Sequence, residues 1–204
     1  MPIPSRQIGW STQDNLLWQI AKQLEGASCQ ICTTNELIGN LTGATKAYGS
    51  FYDMTDQTGL ASAILTMKLA DTDTSATNGV SVVNDGNGDP TQITVSQTGV
   101  YDIQFSAQMI KDSGNSATRA TIWIRKNGID VPDSATYISF PGNSVYIVAA
   151  WNWFIQLNSG EYAQLMWHID SNVDNGLLLA HESAGVTPVH PAVPSLIVTV
   201  NKIN

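Results

Sequence analysis

Charged side chains are scarce in this 204-residue chain, at 13% of its residues against about 25% in an average globular protein. Lys and Arg number 9 against 17 Asp and Glu, so the formal net charge is -8 at pH 7. The densest basic group is Arg119, Arg125 and Lys126, whereas a phosphate-binding surface gathers many basic side chains on one face. We therefore expect no nucleic-acid partner. The low charge favours a neutral polar surface of the kind that mates with copies of itself in an assembly.

Long hydrophobic runs are also missing. The longest apolar run is too short and too strongly β-patterned to span a bilayer, and no positively charged start precedes a hydrophobic stretch near Met1. The sequence therefore predicts no membrane partner and no secretory signal peptide. It indicates synthesis in a cytoplasm, with release by lysis or by another route if the protein acts outside the cell.

Cysteine is limited to Cys29 and Cys32. Their spacing is that of half a zinc site or of a redox pair, but no second pair follows and the βαβ context of a thioredoxin motif is missing. Three states remain open for them: inert thiols, a disulfide, or a metal site shared between chains of a trimer.

Motifs for catalysis or metal binding do not stand out either. His168, His181 and His190 form no spaced ligand set, and Ser159 lacks the preceding glycine of a nucleophile elbow. The acidic turns DTDTSATNG and NDGNGDP offer oxygen ligands without the glycine position and terminal Glu of a calcium loop. We therefore expect no enzyme, no cofactor and no resident metal, although the sequence leaves calcium at these turns open.

The N-terminal part contains one good helix pattern, at 13–24, with Ser11 and Asp14 resembling a capping box and Gly26 as a stop. A short amphipathic helix is marginal in water by itself, so its apolar stripe must dock on something. We predict that it anchors the chain to a neighbouring protein; the alternatives are that it covers the open end of its own domain or packs with its symmetry mates in a short bundle. The predicted anchor residues are Trp10, Leu16, Leu17, Ile20 and Leu24.

After the helix, alternating apolar residues predict β-strands. The clearest case is Tyr101 to Met109, and Asn127-Gly128 predicts a tight hairpin because both positions tolerate positive φ. About eight to ten such strands with Gly, Asn and Asp turns indicate an antiparallel jelly-roll sandwich, so the predicted fold class is mainly β. We place an anchor helix and linker at 1–50 and the jelly-roll domain at 51–204.

The segment Val145 to Leu157 is apolar on both faces of a predicted strand. The odd-numbered residues fill the core, and the even-numbered ones need a second partner. We favour another copy of the chain; the alternative is a central strand covered by loops. The predicted trimer-interface residues are Tyr146, Val148, Ala150, Phe154, Tyr162 and Met166.

Several motifs between Ala61 and Asn204 resemble the tumour-necrosis-factor and complement globular-head superfamily. They are the Gly-Val-Tyr opening at 99–101, the Arg-x-Asn-Gly hairpin at 125–128 and the Leu-x-x-Gly-Glu segment at 157–161. Leu196-Ile197 departs from the aromatic-Ser-Gly of the family's closing strand. This resemblance implies a ten-stranded jelly roll that assembles as a homotrimer.

The opening IPSRQIGWSTQDNLLWQIAKQLE and the ending PAVPSLIVTVNKI are similar to structural proteins of tailed bacteriophages. This resemblance implies a non-enzymatic, homotrimeric virion protein of fibre or spike type, docked on other virion proteins through its N-terminal segment with the jelly roll outward. It also implies localisation in the virion. The alternatives are a capsid decoration (cement) protein and a module for host attachment that binds a surface glycan; a glycan-cleaving enzyme ranks last.

Overall fold

The structure is a computed structural model in which the chain divides into two compact units, 1–45 and 46–204. The boundary lies five residues before the predicted one, because Tyr48 to Ser50 already belong to the first strand of the β unit. The structure describes residues 17, 19–26, 46–59, 63–113, 117–142, 144–170 and 177–204.

The N-terminal unit contains a short helix at 19–26. The helical residues that belong to the predicted anchor are exposed, at 64% for Leu17, 44% for Ile20 and 65% for Leu24. Trp10, Leu16, Cys29 and Cys32 lie outside the described residues. Among the described residues, no helix has the length and apolar character needed to cross a membrane.

The described part of the β unit contains sixteen strands in two seven-stranded sheets and one small hairpin. Sheet 1 consists of β1 (Tyr48–Asp53), β2 (Gln57–Thr58), β4 (Asp71–Thr72), β7 (Gly99–Lys111), β11 (Val145–Leu157), β13 (Leu177–Leu179) and β16 (Leu196–Lys202). Sheet 2 consists of β3 (Ile64–Thr66), β5 (Val80–Asn84), β6 (Pro90–Val95), β8 (Thr118–Lys126), β9 (Ile129–Asp130), β10 (Thr136–Phe140) and β12 (Tyr162–Ile169). The hairpin pairs β14 (Gly185–Val186) with β15 (Val189–His190).

The long strands alternate between the two sheets along the chain. Sheet 1 runs β4-β1-β16-β7-β11, and sheet 2 runs β5-β6-β12-β8-β10; the strand pairs are antiparallel. The chain passes from β7 in sheet 1 to β8 in sheet 2, and from β10 in sheet 2 back to β11. This exchange is the connectivity of a jelly roll. The prediction of a mainly β, antiparallel jelly-roll sandwich with a short N-terminal helix is confirmed.

The core lies between the inward faces of the two sheets. Strand β7 alternates buried residues with more accessible ones along its whole length, as its sequence predicts. Side chains from both sheets fill the space between them and are shielded from solvent; they include Phe51, Tyr101, Ile103, Ile122, Leu165, Trp167 and Val198. The β unit therefore has its own hydrophobic core.

The two ends of the sandwich differ. The β unit begins beside its C-terminus, where the Lys202 amide donates to the Ala47 carbonyl at 2.9 Å. At the opposite end β7 finishes at Lys111, level with Val145 of β11 and Leu177 of β13. We call this second end the loop end, because strands β7, β10 and β12 finish there.

Gly59 provides a test of how tightly the core is packed. A Cβ added there would lie 2.1 Å from Ile169 Cδ1 and 2.8 Å from the Leu177 carbonyl oxygen. We expect Gly59→Ala to reduce the free energy of unfolding by about 1–3 kcal/mol, because overpacking forces neighbours out of their rotamers. Gly86→Ala is the matched control, since a Cβ there meets nothing within 4 Å. Equal melting temperatures for the two variants in thermal unfolding would contradict this packing.

Candidate functional site

Strand β11 forms an edge of sheet 1 and pairs with β7 through all of its residues, from Val145 opposite Lys111 to Leu157 opposite Gly99. Its odd-numbered side chains point into the sandwich, where Ala149, Ile155 and Leu157 are buried. Trp151 and Trp153 pack on Phe105 of β7, with ring centroids 4.6 and 5.2 Å away. The predicted bounds of this strand are confirmed, and its odd face belongs to the core.

The even-numbered side chains of β11 point to the other side, and they are exposed in the single chain. Tyr146 is 76% exposed, Val148 55% and Phe154 66%, and Ala150 is exposed between them. No described loop covers these side chains, so the alternative of a loop-covered strand does not apply to the described residues. A cluster of apolar side chains on the surface of a protein usually marks a site that binds another molecule. We call Tyr146, Val148, Ala150 and Phe154 the apolar face.

A polar row interrupts the apolar face. The Asp102 carboxylate of β7 accepts a hydrogen bond from Asn152 Nδ2 at 2.8 Å and another from Gln104 Nε2 at 2.7 Å. Phe154 lies directly opposite Asp102 on one side of this row. Both oxygens of the Asp102 carboxylate therefore accept a hydrogen bond from the same sheet. Contact with another protein would bury a carboxylate that already has hydrogen-bond donors, which costs less than burying one without them.

Tyr162 and Met166, the other two residues of the predicted interface, lie apart from the apolar face. Both lie on β12 in sheet 2, and Met166 is only 2% exposed. Met166 pairs with Trp123 of β8, and the Thr66 hydroxyl lies 3.7 Å from its sulfur. The turn after Leu157 carries the chain from one sheet to the other, so β11 and β12 face different sides of the molecule.

The three histidines are separate and have structural partners. His168 Nδ1 lies 3.1 Å from the Ala63 carbonyl oxygen, His181 Nδ1 lies 3.3 Å from Asp56 Oδ1, and His190 Nδ1 lies 2.8 Å from the Pro191 carbonyl oxygen. Within the described part of the chain, no three His, Cys, Asp or Glu side chains come together as a metal site would require.

Each of the three basic residues singled out in the sequence, Arg119, Arg125 and Lys126, forms an ion pair with an acidic residue. Arg119 Nε donates to Asp170 at 2.6 Å, and Arg125 Nε donates to Asp130 at 2.7 Å. Lys126 Nζ lies 2.7 Å from Glu161. These three basic residues therefore do not form the unpaired positive patch on which nucleic-acid binding depends.

The acidic turns use their carboxylates to hold their own backbone. Asp73 Oδ1 accepts from the Ser75 hydroxyl and amide at 2.6 and 3.0 Å, and these hydrogen bonds lower the pKa of Asp73. Burial acts to raise the pKa of Asp85, but hydrogen bonds from the amides of Asn87 and Asp89 outweigh it and lower that pKa. Such Asx turns explain the composition of both segments without a calcium ion.

The motifs of the superfamily resemblance meet at the end of the sandwich opposite the loop end. Asn127 and Gly128 turn with φ of 47° and 81°, and Asn127 Oδ1 accepts from the Tyr162 amide at 3.0 Å. Lys126 Nζ donates to the Gln156 carbonyl at 2.7 Å, and Glu161 accepts from the Asn158 amide at 2.7 Å. These residues tie β8, β11 and β12 together, so their role is structural.

Glu161 makes this junction sensitive to acid. Hydrogen bonds from the Asn158 amide and from Lys126 lower its pKa from 4.5 to about 2. A carboxyl group with a lowered folded-state pKa stabilises the fold above its unfolded pKa, and that contribution is lost as pH falls. We expect the melting temperature of the natural chain to fall between about pH 4.5 and 2 more steeply than that of Glu161→Gln. Glu25→Gln, at an exposed position of the N-terminal helix, is the control, and parallel pH profiles for all three chains would contradict the assignment.

Two cavities lie in the described part of the β unit. The first, of about 420 Å³, is lined by polar side chains from three connections and by Trp167. Its polar lining includes Asp56, Lys68, Asp85, Asn87 and Asp89. The second, of about 380 Å³, adjoins the apolar face through Tyr146 and Val148. Sequence patterns contained no signal for either cavity, because each is built from residues distant in the chain.

Comparisons with solved structures find similar domains at low sequence identity. The globular domain of the zebrafish complement 1qA protein is 12% identical, with a TM-score of 0.42, over 78% of this chain and 98% of that one. Murine APRIL in a crystal structure at pH 8.5 is 10% identical, with a TM-score of 0.42, over 78% of this chain and 100% of that one. No protein-family model matches the sequence, and no curated protein matches it significantly. The jelly-roll assignment therefore rests on the strand order of the two sheets.

Proposed function

We propose that this chain is a non-enzymatic, homotrimeric structural protein of a tailed-phage virion. In this proposal it is a fibre- or spike-type appendage that docks on other virion proteins through its N-terminal segment, with the jelly roll outward. The observation that carries the proposal is the apolar face of β11, which the single chain leaves exposed.

The chemistry of the apolar face supports assembly. Burial of side chains such as Tyr146, Val148 and Phe154 is worth about 1.5–3 kcal/mol each. An obligate interface built on this face should exceed about 1,000 Å². Neighbouring residues extend the face, because Ile110 lies opposite Tyr146 and Ile197 lies beyond Ser106, which is opposite Ala150.

The trimer is supported by the resemblance of the strand motifs to the tumour-necrosis-factor and complement globular-head superfamily. A cyclic trimer is a closed assembly, so it can cover the apolar face of every copy without leaving an open end. The position of β11 at a sheet edge suits this arrangement, because an edge strand can approach a symmetry axis more closely than a central strand.

The outward orientation is supported by the two ends of the β unit. The chain enters the β unit at Lys46, beside the C-terminus and opposite the loop end. A jelly roll held through the preceding segment would therefore present its loop end to the surroundings. The exposed side chains of Leu17, Ile20 and Leu24 form the apolar surface that, in this proposal, binds a neighbouring virion protein.

Host attachment through a glycan is a second candidate, supported by the polar cavity of about 420 Å³. Carboxylate and amide groups from Asp56, Asp85, Asn87 and Asp89 line it. Such groups hydrogen-bond sugar hydroxyls, and Lys68 adds a cation held at 2.7 Å from Asp89. A capsid decoration protein would use the same trimer and the same anchor.

A labelled particle tests the location. We expect a gold-labelled antibody against the loop end to decorate purified particles in electron micrographs. Labels on the tail or on projecting fibres support the appendage, and labels spread over the head lattice support the decoration protein. Particles that contain none of this chain by mass spectrometry would contradict a virion role of either kind.

A further inference from the structure

The β14–β15 hairpin exposes two valines almost completely. Val186 is 86% exposed and Val189 is 87% exposed, the highest values among the large apolar side chains that the structure describes. The strands of this hairpin have two residues each, so they provide no face on which the valines could be buried. The hairpin therefore presents an apolar tip.

Hydrogen bonds fix the base of the hairpin. We call the two segments that meet there, at Glu182 and Val193, the stem. Glu182 and Val193 exchange backbone hydrogen bonds of 2.9 and 2.8 Å, and the His181 amide donates to Asp56 Oδ1 at 2.8 Å. The His190 ring lies against Gly185, where an added Cβ would be 2.1 Å from Nε2. These contacts fix the position of the stem and therefore of the tip that it supports.

The stem stands on the same side of sheet 1 as the apolar face. Glu182 and Val193 of the stem line the cavity of about 380 Å³ together with Tyr146 and Val148 of the apolar face. Ile110 and Ala180 add further apolar lining. A second copy that packs on the apolar face must therefore meet the hairpin as well as the cavity beside it.

We propose that the hairpin tip of each copy inserts Val186 and Val189 into this cavity of the neighbouring copy. The inference rests on the proposed trimer and adds the element that interlocks its subunits. No Asp, Glu, Lys or Arg occurs between Glu182 and Lys202, so insertion brings no charge of the hairpin out of water. Hairpin and cavity are different surfaces of one chain, and such heterologous contacts close a ring when the rotation between copies is one third of a turn.

A pair of cysteine substitutions tests the exchange. In a chain with Cys29→Ser and Cys32→Ser, Val189→Cys and Tyr146→Cys together should give covalently linked trimers on oxidation, seen on non-reducing gels. The control pair is Val189→Cys with Val83→Cys, because Val83 lies on β5 in sheet 2 and should not cross-link between copies. Two singly substituted chains of different size, expressed together, should give the mixed disulfide. A disulfide within one chain would assign the hairpin to its own cavity and overturn the exchange.

The disulfide could fail to form because the two cysteines are badly oriented, so a second measurement tests the same contact without a cross-link. We expect Val186→Ser with Val189→Ser to raise the trimer dissociation constant by about tenfold or more in sedimentation equilibrium, which corresponds to about 1.4 kcal/mol. Val83→Ser should leave the constant unchanged. A trimer with no mixed disulfide and an unchanged dissociation constant would refute the hairpin exchange and leave the trimer standing. A monomeric natural chain would refute both.

Discussion

Replacing Phe154 by Asp is expected to convert the trimer into monomers or aggregates. Phe154 is 66% exposed in the single chain, so the substitution leaves the core of the sandwich intact. In a dry contact between copies, however, the new carboxylate would be buried without a partner. It would also lie directly opposite Asp102 on β7, and like charges in cross-strand pairs repel each other. Sedimentation velocity of the natural and substituted chains measures the effect.

Matched substitutions separate loss of assembly from loss of folding. Val148→Asp should act in the same direction, since Val148 belongs to the same apolar face. Val83→Asp changes a 44% exposed valine in sheet 2 and should leave the trimer intact. Circular dichroism should show the β-sheet spectrum for all three variants. If Phe154→Asp and Val148→Asp sediment as the natural trimer does, the apolar face is not the interface.

Deleting Met1 to Glu25 is expected to leave the β unit folded and to abolish incorporation into particles. The strands of both sheets lie within 46–204, which forms a compact unit with its own core. The deletion removes the predicted anchor residues but none of the strands that the structure describes. We therefore expect a small change in melting temperature and a complete loss of the protein from purified particles.

A point variant keeps the length of the chain constant. Leu17→Asp with Ile20→Asp places two charges in the apolar stripe of the helix and should weaken incorporation strongly. Lys22→Gln and Glu25→Gln together are the control, because they remove an exposed ion pair with nitrogen and oxygen 3.3 Å apart on the same helix. The alternative role of the helix, covering its own sandwich, predicts a large loss of melting temperature with normal incorporation. That outcome would rule out the anchor.

Local physical chemistry made the strands and turns predictable from the sequence. The alternation of apolar residues is a property of neighbouring positions, and it specified β11 from Val145 to Leu157 and the inward face of β7. The Asn127-Gly128 turn was predictable because only a few residues tolerate positive φ. The apolar character of both faces of β11 likewise pointed to a second partner for the strand.

Only the tertiary structure decided which surfaces come together. The sequence patterns of β11 and β12 are alike, but the turn between them leads to the opposite sheet, which removes Tyr162 and Met166 from the apolar face. The proline-rich segment before β16 contains a hairpin whose stem lines a cavity with Tyr146. Periodicity describes contacts between near neighbours in the chain, whereas the sheet to which a strand belongs and the cavities between distant segments follow from long-range packing.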